Sequence, residues 1–503
     1  MSSIRVTYSG LIAFVVGLIS VFSGLVFTLT VTRQLSPEEF GTWSIIGSMI
    51  IYFLVIERII SYWTLRQIAR NEEVGKTAII TSSSFSLGAI PVYLFLVYIV
   101  SGNSNADVNA MILGAILLPV QFIGQTLNVI NLAHKPHATS YALLCFESFK
   151  IPAGLLLVYF LDLGLEGAIM AVFIAYIGRI AIQVYFARPK LKAKFNFGVI
   201  KRWLKFSWLS FYTHLPNSIW GVDIVIYSII TGSVIGVAYY GASMVIAGTL
   251  FHAGLISQAL YPKLLAKGNY EYIRKNFRLL MYFALPILGI ALVFSRPGLF
   301  ALNPQYEIAS VVVIILSFKM FFLVLRNVLD STILGIETID VERNLSFPKL
   351  LKSKLFFVPT RRYIHFGLYI ITLVITLSYL KSTTISELEL VIWWVTIALA
   401  WEIPFFIYLI IKVKKFTNFS FPFVETGKYI GSTLLFILAF FLLSDSIINY
   451  EISIFKFLPS LILQLAICIA IYLLTTYVID KKTRIFFKTI LDELIIKKRD
   501  PNR

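Results

Sequence analysis

The sequence predicts an all-α, polytopic membrane protein of about fourteen transmembrane helices, and three observations carry that prediction. The chain has 503 residues, of which 58% are hydrophobic and 14% charged, an apolar content above the roughly half that soluble domains carry. The apolar residues gather into stretches at 9–31, 41–60, 77–100, 110–133, 141–160, 167–186, 206–231, 234–260, 279–294, 309–333, 364–380, 388–411, 429–443 and 457–479. Most of these approach or exceed the roughly 20 residues that cross a hydrocarbon core of about 30 Å. The basic residues also alternate between gaps. With the N-terminus in the cytoplasm, 35 of the 44 Lys and Arg fall on that side, and only Arg33, Arg296, Lys381 and Lys456 fall in outer gaps. Positive loops resist translocation, so both termini are expected in the cytoplasm of a plasma or inner membrane protein.

Taken in order, the stretches show what each must solve. The first is too long for a signal-peptide core and lacks a convincing cleavage site, so it reads as a retained helix. The second ends in Glu57 and Arg58, which are expected to reach the cytoplasmic interface. The fourth ends in the tight turn His134–Lys135–Pro136–His137. The fifth carries Glu147 and Lys150 three apart, a spacing that allows an ion pair within one helix. The sixth holds Arg179 about two turns from its cytoplasmic end, within snorkelling reach. A basic stretch follows at 187–205, ARPKLKAKFNFGVIKRWLK. The seventh contains Thr213, His214, Pro216, Asn217, Ser218, Trp220 and Asp223. Proline there removes a backbone hydrogen bond and kinks the helix. A broken, polar helix at membrane depth survives only where protein or water surrounds it.

The tenth stretch places Lys319 near mid-membrane with no acidic residue within one helical turn, and Arg326 and Asp330 four apart for a pair or a snorkel. The twelfth has Glu402 shortly before Pro404. In the tail, 480–503, Ile485, Phe486, Leu491, Leu494 and Ile495 are spaced among lysines. This fits an amphipathic helix on the cytoplasmic leaflet, or a solvated helix with a few apolar residues.

Six stretches precede 187–205 and six follow it before Lys412. The expected organisation is an N-terminal six-helix lobe at 1–186, a basic cytoplasmic linker at 187–205, a C-terminal six-helix lobe at 206–411, and a terminal helix pair with its tail at 412–503. Equal lobes hint at the repeats common in secondary transporters.

Several function classes fall away. Gly75–Lys76–Thr77 resembles the end of a phosphate-binding loop, but Arg70 occupies the upstream glycine position, which argues against ATP hydrolysis. The five histidines have no metal-ligand spacing, so no metal or other cofactor is expected. Cys145 and Cys468 fall inside stretches and imply no disulfide framework. A net charge of +18 confined to one membrane side favours anionic headgroups over nucleic acid. The outer gaps are all short, which disfavours an enzyme of glycan assembly. Charges inside the membrane cost at least about 2.5–3.5 kcal/mol at its centre, so Lys319, Lys150, Arg179 and Arg326 are candidate contacts for an anionic cargo. Asp223 is a candidate site for a coupling H⁺ or Na⁺. Its alternative role is to bridge helices through a hydrogen bond or salt bridge.

The junction of the first two stretches reads TRQLSPEEFGTW. It resembles the R-x-L-x-P-x-[EQ]-[YF]-G signature of polysaccharide and lipid-linked oligosaccharide flippases of the multidrug/oligosaccharidyl-lipid/polysaccharide exporter superfamily. The matching positions are Arg33, Leu35, Pro37, Glu39, Phe40 and Gly41. Asp223 followed by Gly236, Tyr239 or Tyr240, and Ala242 is similar to that family's D…G-x-Y-x-x-A stretch. The resemblance implies two six-helix lobes around a central cavity that opens alternately to either face. It also implies a polyprenyl-phosphate- or polyprenyl-diphosphate-linked glycan as cargo, and it adds Arg33 to the candidate contacts. The terminal pair would line a groove for the lipid tail or pad its lobe. A multidrug or small-solute exporter of the same superfamily is the main alternative, and a membrane enzyme of glycan assembly the second.

Overall fold

The computed structural model describes residues 23–24, 26–192, 194–205, 207–218, 221–257, 271–337, 351, 353–383, 385–417 and 420–485. Helices dominate these residues. They are α1 (26–34), α2 (Pro37–Ala69), α3 (Gly75–Asn103), α4 (Val108–His134), α5 (His137–Phe160), α6 (Gly164–Leu191), α7 (Phe197–Lys205), α8 (Ser207–Ser218) and α9 (Val222–Thr231). The remainder are α10 (Val234–Ser257), α11 (Glu271–Val293), α12 (Ser295–Leu302), α13 (Pro304–Gly335), α14 (Lys354–Lys381), α15 (Glu387–Thr417), α16 (Phe423–Ile447) and α17 (Ile454–Ile479).

Twelve of them (α2–α6, α10, α11 and α13–α17) are long and apolar enough to cross a membrane, so this is a multi-pass membrane protein. The other two expected spans account for the difference from fourteen. Of the first, only the end, α1 and the two residues 23–24, lies within the described residues. Of the seventh, α8, which contains Pro216, and α9 lie within the described residues, and 219–220 between them do not. The basic loop at 338–350 and most of the tail lie outside the described residues, as do the side chains of Thr213, His214 and Asn217.

The start of α2 shows why the signature has its composition. Ser36 caps the helix, accepting from the Glu39 N–H at 3.2 Å, while the Glu39 carboxylate accepts from the Ser36 N–H at 2.9 Å. This reciprocal box satisfies two of the donors that a helix start leaves open. Pro37 fits the first turn, where no donor is needed. Glu39 also accepts from the Leu165 N–H at 3.2 Å, which ties α2 to the start of α6. Gly41 has no alternative, because a Cβ there would stand 2.1 Å from the carbonyl oxygen of Val234.

Helix α2 has 33 residues and is therefore about 50 Å long at 1.5 Å per residue. This corrects the expected position of Glu57. With the helix running on to Ala69, Glu57 lies three turns from its end and is buried, where it accepts from Ser61 and, at 2.8 Å, from Thr126 of α4.

The chain forms two compact units, Met1–Gly241 with Pro359–Trp394, and Ala242–Val358 with Val395–Arg503. Their bounds fall within α10, α14 and α15. The first unit packs α2 on α3 and α4, and α5 on α6, around residues such as Ile46, Met49, Ala78, Phe122 and Ile130. The second is centred on Phe277, Leu280, Phe436, Phe440, Phe457 and Tyr472. The free thiols stay in these interiors, Cys145 half-buried and Cys468 buried.

Candidate functional site

Ser48 of α2 donates to the carbonyl of Gly221, the residue just before α9, at 2.6 Å, and its hydroxyl also lies 2.6 Å from that of Tyr52. Asp223 follows in the first turn of α9 and is 1% exposed. Its Oδ2 accepts from the Tyr369 hydroxyl of α14 at 2.7 Å and from Trp394 Nε1 of α15 at 3.2 Å. Its Oδ1 accepts from the Ile224 N–H at 3.0 Å. Trp394 is stacked against Tyr240 at 4.1 Å and Tyr227 at 4.7 Å between ring centroids.

The carboxylate therefore sits in an aromatic setting, held by groups from three helices of the first unit. The motif glycine belongs to the same construction, since a Cβ on Gly236 would stand 2.2 Å from the Tyr227 hydroxyl.

A second cluster lies between α5 and α6. Lys150 and Glu147 pair at 2.5 Å, as their spacing predicts, and both are nearly buried. Ser23 donates to the same carboxylate. The Lys150 ammonium stands 5.1 Å from the Phe146 ring and 5.5 Å from that of Phe27, within reach of their negative faces. Arg179 lies within electrostatic range of Glu147, its guanidinium 6.0 Å from the Tyr176 ring. Among the described residues its buried Nε has no hydrogen-bond partner. Two cations thus lie near one carboxylate here, in a partly desolvated cluster.

In the second unit, α13 carries both Lys319, 5% exposed, and Arg326, 1% exposed. Arg326 forms an ion pair with Glu402 of α15, a residue 76 positions away. Its guanidinium is buried, and this pairing crosses between helices. Asp330 is itself buried. Arg33 lies in α1 and is half-buried.

Lys150 and Arg179 are thus brought together around Glu147. Asp223 and Arg33 sit on other elements of the same unit, and Lys319 and Arg326 belong to the second unit. Tyr369, Trp394, Tyr52, Ser48 and Ser23 carry no signal in the sequence that marks them as site residues. They are uncharged, so their presence in an apolar helix brings no solvation penalty large enough to single them out.

Neither a protein-family profile nor a curated protein matches the sequence. Solved structures do. The lipid II flippase MurJ in an inward closed conformation aligns with a TM-score of 0.67 at 14% identity, over 96% of this chain and all of that one. An inward-facing multidrug resistance MATE family transporter of the MOP superfamily aligns at 0.58 and 13% identity, over 82% of this chain and 99% of that one. The MATE multidrug transporter DinF-BH gives 0.55 and 14%, over 82% and 96%. The chain has the fold shared by the MurJ flippase and the MATE transporters.

Proposed function

We propose that this protein is a flippase that moves a polyprenyl-phosphate- or polyprenyl-diphosphate-linked oligosaccharide or polysaccharide precursor from the cytoplasmic to the outer leaflet. The observation that carries the reading is coverage: the likeness to a lipid II flippase runs over 96% of the chain, against 82% for the two MATE transporters described above. The signature around Gly41 and the stretch from Asp223 to Ala242 support it. The transport cycle would be alternating access between six-helix lobes in a plasma or inner membrane, with both termini in the cytoplasm.

The chemistry suits such a cargo. Its head is anionic and its tail can stay in lipid, so crossing is limited by desolvation of the phosphates. Lys150, Arg179, Lys319, Arg326 and Arg33 are the groups that would meet those phosphates. Lys319 ranks first, as a buried cation near the middle of a span. Asp223 would couple the cycle by taking up H⁺ or Na⁺ from outside and releasing it inside.

Transport of a fluorescent polyprenyl-diphosphate-linked glycan in proteoliposomes tests both assignments. Lys319→Gln is expected to insert normally and to lose most of the flux, about tenfold or more if one charge-assisted contact is removed, with Lys319→Arg partly active. Full flux by the Gln variant at equal expression returns Lys319 to a structural role. Under imposed H⁺ or Na⁺ gradients, wild-type flux is expected to respond and Asp223→Asn to respond less. A wild type indifferent to both gradients, or a variant with the full response, removes Asp223 as the coupling site. The likeness to MATE transporters favours a second reading, a multidrug or small-solute exporter. Movement of a cationic dye without any movement of the glycan lipid would decide for it.

A further inference from the structure

The cytoplasmic end assigned to α2 by the basic residues carries a recess of about 310 Å³. It is lined by Trp63, Arg66, Gln67, Arg70 and Glu72, with Arg202 and Trp203 of α7. Its floor is built from packed groups. Trp203 is 2% exposed and donates from Nε1 to the Gln67 side chain at 2.8 Å. With Val199 one turn earlier, it packs α7 onto Ile60, Ile68 and Ala187.

The rim is cationic. Arg66 lies 4.4 Å over the Tyr62 ring, and among the described residues Arg66, Arg70 and Arg202 take part in no ion pair. Glu72 lines the same recess, so the mouth keeps a net positive charge.

The exposed side of α7 indicates what surrounds this recess. Phe197 is 70% exposed and Leu204 is also uncovered, beside exposed Lys201, Arg202 and Lys205. A short helix with uncovered apolar groups next to basic ones lies in the plane of the membrane interface. The recess therefore stands at headgroup level, where guanidinium forks match the oxygens of a phosphate ester.

We propose that this recess binds the phosphate of an anionic phospholipid, and that the bound headgroup ties α7 to the end of α2. The proposal is independent of the cargo. It concerns a resident lipid on the cytoplasmic face, held by residues outside the candidate transport clusters.

Native mass spectrometry of the full chain, released from mixed micelles of phosphatidylglycerol and phosphatidylethanolamine, tests it. Wild type is expected to retain phosphatidylglycerol preferentially. The triple variant Arg66→Gln, Arg70→Gln, Arg202→Gln should lower that retention about a hundredfold, given the roughly 1 kcal/mol that each basic residue contributes near an anionic surface. A triple Lys variant at the same positions, which keeps the charge and loses the fork, should fall between. A control variant with Lys412, Lys414 and Lys415 changed to Gln removes the same charge from the end of α15 and should behave as wild type. Equal retention by wild type and the Arg→Gln variant overturns the site. Equal loss in the control also overturns it, since the attraction would then be general. Displacement of the lipid by excess inorganic phosphate would assign the recess to a free anion instead.

Discussion

Asp480 follows the last turn of α17, and its carboxylate is buried among donors. Thr483 donates from its hydroxyl at 2.7 Å and Tyr429 from its phenol at 2.9 Å, while the Lys428 ammonium stands 3.9 Å away. Burial alone would raise its pKa, but these hydrogen bonds and the lysine charge outweigh it and hold the group below its ordinary 3.8. A carboxyl depressed by folding stabilises the folded state above its unfolded pKa, and that contribution is lost as pH falls through the folded value. The melting temperature of wild type should therefore exceed that of Asp480→Asn at neutral pH, and the gap should narrow as pH drops below about 4. A gap that stays constant between pH 6 and 3 would show that the charge of Asp480 contributes nothing. At this scale the sequence reveals charged groups but hides many of their partners. The pair Lys150–Glu147 was legible because both residues share a helix face. The partners of Asp223 lie 146 and 171 positions away and are a phenol and an indole, for which neither spacing nor charge gives a sign.

Among the elements, α2 gives the sharpest test of why small residues stand where they do. Gly41 meets backbone at 2.1 Å, whereas Gly47 on the same helix has open space around its missing Cβ. A backbone carbonyl cannot swing aside, so Gly41→Ala is expected to destabilise by about 1–3 kcal/mol or more, as overpacking does. Gly47→Ala should be neutral or gain up to about 1 kcal/mol from helix propensity. Thermal unfolding in detergent compares the two directly, and equal melting temperatures would contradict the close approach of α2 to Val234. Spans were legible from hydropathy, with Pro216 lying inside α8. Helix ends were not, because a residue such as Arg66 reads as loop although α2 continues through Ala69. Helix α7 was hidden for the same reason: its basic residues dominate 187–205, and only packing shows that Val199 and Trp203 form its buried side.

For the whole molecule, the asymmetry of Lys and Arg predicts a topology that can be read by labelling. With Cys145 and Cys468 replaced, a cysteine at exposed Asn105 should react with an impermeant thiol reagent from outside. One at exposed Glu73 should react only once the cytoplasmic side is opened. Reaction in the opposite sense at either site would invert the fourteen-span arrangement. The two compact units also interleave along the chain, the first needing Pro359–Trp394 for completion. This bears on biosynthesis. Asp223 is made 171 residues before Trp394, a delay of roughly 10–35 s at about 5–20 residues per second. Through that interval the carboxylate has entered the membrane path while two of the groups that will hold it do not yet exist. The nascent chain must therefore leave α9 near water, or beside an assisting protein, until α14 and the start of α15 emerge from the ribosome.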